Sequence, residues 1–330
     1  MTSAAGRFAP SPTGSLHVGN LRTAVLAWLF ARSTGRRFLL RMEDLDRNRV
    51  RPGIGAQQEA DLAALGVTFD DHPVLQSLRF DRYAAALDQL DDLTYECFCT
   101  RREIAEAASA PHDGVPRYPG RCRDLSTTQR AERRLTRAPA VRLRAAAAVW
   151  TVTDALHGEV TGVVDDLVLR RNDGVVAYHL AVVVDDAAMG VDQVVRGDDL
   201  LTSAPAQAYL AAMLGHPPPT YAHVPLAVNA SGARLAKRDG AVTLSDLARR
   251  GIAPADVLSL LAVSLGLATE DQSVTLPLLL DRFVPSTLPR TAWVVEGRTS
   301  MQIVADDGAE RGRGATPQSD VAYFPLGSGQ

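Results

Sequence analysis

Lysine is all but missing from this chain. Lys237 is the only one, and arginine supplies the remainder of the 35 basic residues. Arginine cannot copy a compact ammonium, which sets that one lysine apart. Cysteine is nearly as scarce: three residues, at positions 97, 99 and 122. An odd number, clustered in one short stretch, argues against a disulfide framework and for a metal. Long apolar runs are absent too. Leu21 to Ala31 is too brief to cross a bilayer, Val175 to Met189 is interrupted by Asp185 and Asp186, and the start, Met1 to Gly6, is short and polar. These absences predict a cytoplasmic protein with no membrane partner. No strong charge of either sign is present, since the formal net charge is -3. That excludes a wholly basic nucleic-acid coat and leaves room for a local basic face. No internal repeat is visible.

The chain does have 330 residues, 46% of them hydrophobic, enough for a substantial core. Arg7 to Pro10 reads as a strand and Ser11 to Ser15 as a Pro/Gly loop, followed by a helix from Gly19 to Ser33. Arg37 to Met42 reads as a second strand, and Pro52 to Leu65 as a helix with proline at its start. This alternation predicts an α/β fold with a doubly wound parallel sheet. A helix is expected over Arg79 to Leu93. Tyr95 to Arg123 is rich in Cys, Pro, Gly and Arg, and reads as an insert held by something other than apolar packing. Val141 to Val176 is β-like, with a turn at Asn172-Asp173-Gly174. Helices are expected over Tyr178 to Asp186, Ser203 to Leu214, Leu244 to Arg250 and Pro254 to Leu267, with a strand over Asp192 to Val195 and a turn at Asn229 to Gly232. Positions 297–330 carry little periodicity and read as a disordered tail.

The first chemistry lies in the run from Arg7 to Asn20. A strand ends in a Pro/Gly turn and a helix starts near Gly19, where unpaired N–H groups and the positive end of the helix dipole suit a phosphate. Glycine permits close backbone approach, and His17 and Asn20, three apart, can address one ligand. Far downstream, Arg234-Leu235-Ala236-Lys237-Arg238 forms a basic loop able to neutralise charge on a departing pyrophosphate. Arg7, Glu43, Tyr178 and Arg196 fall at element ends that such a fold gathers near the nucleotide. An arginine suits a carboxylate, and Glu43 suits an ammonium. Cys97, Cys99 and Cys122 supply three ligands to one Zn²⁺; a fourth is needed, and His112 is the generic candidate. From Arg101 to Arg137 arginines outnumber acids, a patch that could meet RNA phosphates.

His17-Val18-Gly19-Asn20 resembles the "HIGH" signature of class I aminoacyl-tRNA synthetases, with Asn20 in place of the final His. The preceding Arg7-Phe8-Ala9-Pro10-Ser11-Pro12-Thr13-Gly14 is similar to the glutamyl/glutaminyl branch. Arg234 to Arg238 resembles the second signature, "KMSKS", in which Arg234, Ala236 and Arg238 replace a lysine and two serines. The resemblance spans roughly residues 5 to 295. It implies a Rossmann-type sheet with a zinc-bearing, acceptor-like insert and a short helical C-terminal part. The expected divisions are 1–94, 95–140, 141–250 and 251–296, with the tail beyond. It implies catalytic roles for His17, Gly19, Asn20 and Lys237, ATP contacts from these and from Leu235, Ala236 and Arg238, and glutamate contacts from Arg7, Ser11, Glu43, Tyr178 and Arg196. Tyr118-Pro119-Gly120-Arg121-Cys122 resembles the segment that closes the zinc site in glutamyl-queuosine tRNA(Asp) synthetases, which implies Tyr118 as fourth ligand. For that family the substrates are ATP with Mg²⁺, L-glutamate and tRNA(Asp) containing queuosine; a monomer is expected. A truncated glutamyl-tRNA synthetase that charges a 3′ end, and a non-catalytic nucleotide- or RNA-binding relative, remain as alternatives.

Overall fold

The computed structural model describes residues 4–100, 102–104, 118–235 and 242–295. His112, Ala236, Lys237, Arg238 and the stretch 297–330 lie outside the described residues.

The first half runs β1 (Ala5–Phe8), α1 (Val18–Ser33), β2 (Arg37–Met42), α2 (Ile54–Ala64), β3 (Val74–Leu75), α3 (Phe80–Gln89) and β4 (Thr94–Cys97). After α4 (Thr127–Arg134) come β5 (Ala140–Leu143), β6 (Val149–Asp154), β7 (Gly158–Val163) and β8 (Val168–Arg170). Next are α5 (Tyr178–Ala188), β9 (Val191–Gly197), α6 (Ala204–Met213), β10 (Thr220–Val224) and β11 (Ala227–Val228). The last elements are α7 (Leu244–Ala248), α8 (Pro254–Ser264), α9 (Leu276–Arg282) and β12 (Trp293–Val294).

The main sheet has seven strands in the order β3-β2-β1-β9-β10-β6-β7. All neighbours run parallel except β6 and β7. The expected parallel sheet therefore carries one antiparallel edge strand. The cause is local: Asp154 and Gly158 close a tight turn, and only an antiparallel pair can be joined so briefly. A second sheet, β4-β5-β8, is antiparallel and takes strands from either side of the cysteine-rich stretch.

Strand order reverses between β1 and β9. The chain winds outward from β1 through β2 to β3, while β9 continues the other way to β10. In an open α/β sheet this point leaves a crevice at the carboxyl ends of the strands, where ligands bind. Helix α1 crosses above it and is buried nearly all round. One flank rests on the sheet, and the other is covered by the C-terminal helices, as the edge-on pair Phe30–Phe283 shows with ring centroids 5.1 Å apart. Helices α5 and α6 cover the opposite face.

Some boundaries differ from expectation. The first strand ends at Phe8 rather than Pro10, because proline has no N–H to continue the ladder. The second helix starts at Ile54, since Gly53 takes a left-handed conformation, φ 79°, that detaches Pro52 from it. Helix α3 stops at Gln89, and a separate single turn, Asp91–Leu93, follows. Helix α9 and the β11–β12 pair were not anticipated. Leu276 to Leu280 is a uniform apolar run with proline near its start, and shows no helical period to read.

Candidate active site and metal centre

Side chains alternate across a strand, so residues two apart share a face. Ala5, Leu39, Val194, Tyr221 and Val152 lie in one buried cluster on the α5/α6 side of the sheet. Two residues further along each of these strands stand Arg7, Arg41, Arg196, His223 and Asp154. Register puts Arg196 opposite His223, while Arg7 lies opposite Leu39 and Asp154 opposite Tyr221, two residues behind Arg41 and His223 along the same face. Five neighbouring strands thus deliver three arginines, a histidine and an aspartate to one end of one face, and all five residues are buried.

Helix α5 lies across this face and inserts Asp185 and Asp186, the acids that interrupt its apolar run. Asp186 Oδ1 accepts from Arg41 Nη1 and, at 3.3 Å, from Arg7 Nε. Burial opposes its ionisation, but Arg41 and Arg7 outweigh this and hold the carboxyl below the usual range. Asp185 accepts from Gln76 Nε2 and Tyr83 Oη, each at 2.8 Å, with Arg79 Nε 2.6 Å away. Arg41 Nη2 also donates to Glu43 Oε1 at 3.2 Å. Burial raises the Glu43 carboxyl above the carboxylate range, and Arg41 and Arg7 offset part of that rise. Arg196 donates to His223, Gln207 and the Leu200 carbonyl. Tyr178 opens α5, 39% exposed, within electrostatic reach of Arg196. Arg7, Glu43 and Arg196 therefore converge on the crevice with Tyr178 at its rim. Ser11 is exposed on the preceding loop, whose Ser11 and Gly14 carbonyls accept from the amide of buried Gln58 at 3.1 and 2.7 Å.

His17 is the N-cap of α1. Its Nδ1 accepts from the Asn20 N–H at 3.3 Å, and Asn20 Oδ1 accepts from the His17 N–H at 3.2 Å. Asn20 thus completes a reciprocal cap in addition to any ligand contact through its free amide NH₂. An accepting Nδ1 puts the ring proton on Nε2, where it can be donated outward. Burial, helped by Arg234, pushes His17 down to about 4, so the ring is neutral at pH 7. Gly19 has a reason the sequence did not disclose. A Cβ there would lie 3.0 Å from the His17 ring and from Ala227 Cβ, so glycine lets the imidazole fold back over the helix start.

The described residues that flank the basic loop lie beside this helix start. Leu235 N–H donates to the Ala227 carbonyl at 3.4 Å, and Leu235 is buried in the α1 core. On return, Val18 N–H donates to the Val242 carbonyl at 3.0 Å, and Thr243 bridges His17. Arg234 Nη1 meets Asp199 Oδ2 at 2.6 Å.

Cys97, Cys99 and Cys122 bring their sulfur atoms within 4.8 Å of one another and could hold a metal ion. Tyr118 Oη sits among them, 3.3 Å from Cys97 Sγ, 3.7 Å from Cys99 Sγ and 3.1 Å from the Cys122 N–H. The Arg142 guanidinium lies 3.9 Å from the centre of the Tyr118 ring. Without a cation, burial pushes the Cys99 thiol up to about 12.

Sequence reasoning missed Asp154, Asp186, Gln207 and His223. Their signal was polarity inside apolar strands and helices, which register alone turns into a cluster.

The family of class I tRNA synthetases (E and Q), catalytic domain, matches residues 4–275. A glutamyl-Q tRNA(Asp) synthetase of Nocardia farcinica is 59% identical over 301 residues, 90% of this chain and 95% of that protein. One from Deinococcus radiodurans is 50% identical, covering 83% of this chain and 94% of that one. A crystal structure of a glutamate tRNA ligase from Elizabethkingia meningosepticum, in complex with its amino acid, superposes with TM-score 0.74 at 26% identity, over 89% of this chain and 67% of that one. No described helix is long and apolar enough to cross a membrane. The chain belongs to the class I tRNA synthetases of the E and Q type, alongside the glutamyl-Q tRNA(Asp) synthetases, and is a ligase-type enzyme.

Proposed function

We propose that the enzyme activates L-glutamate with ATP and Mg²⁺ to glutamyl-adenylate and transfers the glutamyl group to the queuosine base in the anticodon of tRNA(Asp). The observation that carries this reading is the anchoring of both flanks of the Lys237 loop at the His17-capped start of α1. A helix N-terminus, an outward Nε2–H and a lysine-bearing loop then address one triphosphate.

No protein nucleophile is needed. The α-carboxylate of glutamate attacks the α-phosphorus, the bond to the β-phosphate oxygen breaks, and pyrophosphate leaves. Lys237 and the α1 amides stabilise the charge that develops, while Leu235, Ala236 and Arg238 contribute further contacts to ATP. Glu43 receives the substrate ammonium, which restores the charge that burial disfavours. Arg7, Ser11, Tyr178 and Arg196 hold the rest of glutamate. A hydroxyl of the modified base then attacks the activated carbonyl, and AMP departs. Catalysis is positioning plus charge stabilisation. The enzyme is taken to work as a monomer in the cytoplasm.

Labelled glutamate should pass to tRNA(Asp) that contains queuosine and not to the same tRNA without it, and the label should map to an anticodon-loop fragment. Label at the 3′ end would instead make this a 3′-charging ligase. Absence of glutamate-dependent ATP–pyrophosphate exchange would make it a non-catalytic relative.

The sulfur cluster is assigned to one structural Zn²⁺. Zinc–sulfur bonds of about 2.3 Å at a tetrahedral centre place sulfurs roughly 3.8 Å apart. The Cys99–Cys122 separation, 3.6 Å, fits that spacing, and the position of Tyr118 Oη, 3.3 and 3.7 Å from two of the sulfurs, supports it as the fourth ligand. Elemental analysis should find one zinc per chain. Tyr118→Phe should weaken zinc retention against a chelator by about tenfold or more, while glutamate-dependent exchange stays near wild type. Unchanged retention would pass the fourth place to another group, such as His112.

A further inference from the structure

Three buried arginines reach the crevice face, and they are held in different ways. Arg7 and Arg41 hydrogen-bond to the Asp186 carboxylate. Among the described residues, every hydrogen bond that Arg196 donates goes to an uncharged acceptor: Nε to His223 Nε2 at 3.0 Å, Nη1 to Gln207 Oε1 at 2.7 Å, and Nη2 to the Leu200 carbonyl at 3.2 Å. A guanidinium has five N–H donors, so one remains on each Nη. Its Cζ lies over the Tyr221 ring, 5.6 Å from the ring centre.

A guanidinium does not deprotonate in a protein, so Arg196 Nε must donate and His223 Nε2 must accept. That fixes the tautomer. The ring proton lies on Nδ1 and is donated to Asp154 Oδ2 at 2.7 Å. Asp154 is fixed in turn. Its Oδ1 accepts from the Leu156 and His157 N–H groups at 2.8 and 3.0 Å, and its Oδ2 also accepts from the His223 N–H at 3.0 Å. Burial opposes its charge, but His223 and the turn amides hold the carboxyl below the usual range. On the other side, Gln207 Nε2 donates to His179 Nδ1 at 3.3 Å, which leaves its Oε1 for Arg196.

We propose that Asp154 and His223 are positioning residues for glutamate recognition: the carboxylate locks His223 in the Nδ1–H tautomer, and the imidazole lone pair aims Arg196 at the substrate carboxylate without neutralising it. An acid in His223's place would tie up the guanidinium charge, and an imidazolium would present a second donor and push Arg196 away. The inference rests on the reading of Arg196 as a glutamate-binding residue.

Two substitutions separate the halves of this relay. In His223→Asn the amide can still reach Asp154 but not Arg196. In His223→Gln the amide oxygen takes the place of Nε2. Hydrogen bonds to charged groups are the stronger kind, so the Asn variant is expected to raise the glutamate KM in ATP–pyrophosphate exchange by about tenfold or more with ATP KM nearly unchanged, and the Gln variant to recover most of the loss. Equal glutamate KM in the two variants, or a wild-type value in the Asn variant, would overturn the relay. Arg196→Ala tests the underlying reading: a wild-type glutamate KM there ends that reading, whereas a raised KM there beside an unaffected His223→Asn ends the relay alone. Nitrogen NMR of the unaltered enzyme gives a check independent of folding. Neutral His223 with its proton on Nδ1 is expected; a proton on Nε2 contradicts the proposal.

Discussion

Lys237→Ala is expected to lower glutamate-dependent ATP–pyrophosphate exchange by about 10²- to 10³-fold, the cost of losing a preorganised charge partner in a transition state. The basic loop departs from its signature at four positions, with Leu235 in place of the methionine, and two hydroxyl donors are replaced by Ala236 and Arg238. The charge role therefore concentrates on the one lysine in the chain. Lys237 follows Leu235 by two residues, and Leu235 is fixed against β11 beside the α1 start. Lys237→Arg retains the positive charge but spreads it over a planar fork, so partial recovery is expected. Exchange by Lys237→Ala within tenfold of wild type would mean that pyrophosphate leaves without this ammonium.

The second large effect concerns stability. Arg41 is fully buried and meets Asp186, Glu43 and the outskirts of Asp185 at once. Arg41→Met leaves Asp186 with Arg7 alone, at 3.3 Å, and Asp185 with Arg79. Removing one partner of a buried pair costs about 3–5 kcal/mol, because a charge is left without compensation. In a chain of this size that is a fall in melting temperature on the order of 10 °C. Adding Asp186→Asn should return part of the loss, since it removes the stranded charge. Thermal unfolding of the single and double variants decides this. A loss under about 1 kcal/mol in the single variant would show the network to be dispensable.

Much of this architecture was legible in the chain. The run from Arg7 to Asn20 carries the family resemblance, and the cysteine spacing anticipates the sulfur cluster, because each ties residue types together at short range. What stayed hidden depends on register. Asp185 and Asp186 read as interruptions of an apolar helix, yet they are the acids that pair the buried arginines. His223 and Asp154 are 69 residues apart and meet only because β10 and β6 are neighbours. Gly19 reads in sequence as room for a ligand; the His17 ring, which lies back over the helix start, adds a second need for glycine there that the sequence does not disclose. The antiparallel β7 escaped notice because alternation does not reveal strand direction. Helix α9 escaped because an unbroken apolar run has no period.

The central claim is that one adenylate bridges the start of α1 and the arginine-lined crevice between β1 and β9. Co-crystallisation with a non-hydrolysable glutamyl-adenylate analogue tests it most directly. The account places the phosphate surrogate within hydrogen-bond distance of His17 Nε2 and the α1 amides, with the glutamyl carboxylate on Arg196. An analogue bound away from α1, or one whose glutamyl group avoids Arg196, would contradict it.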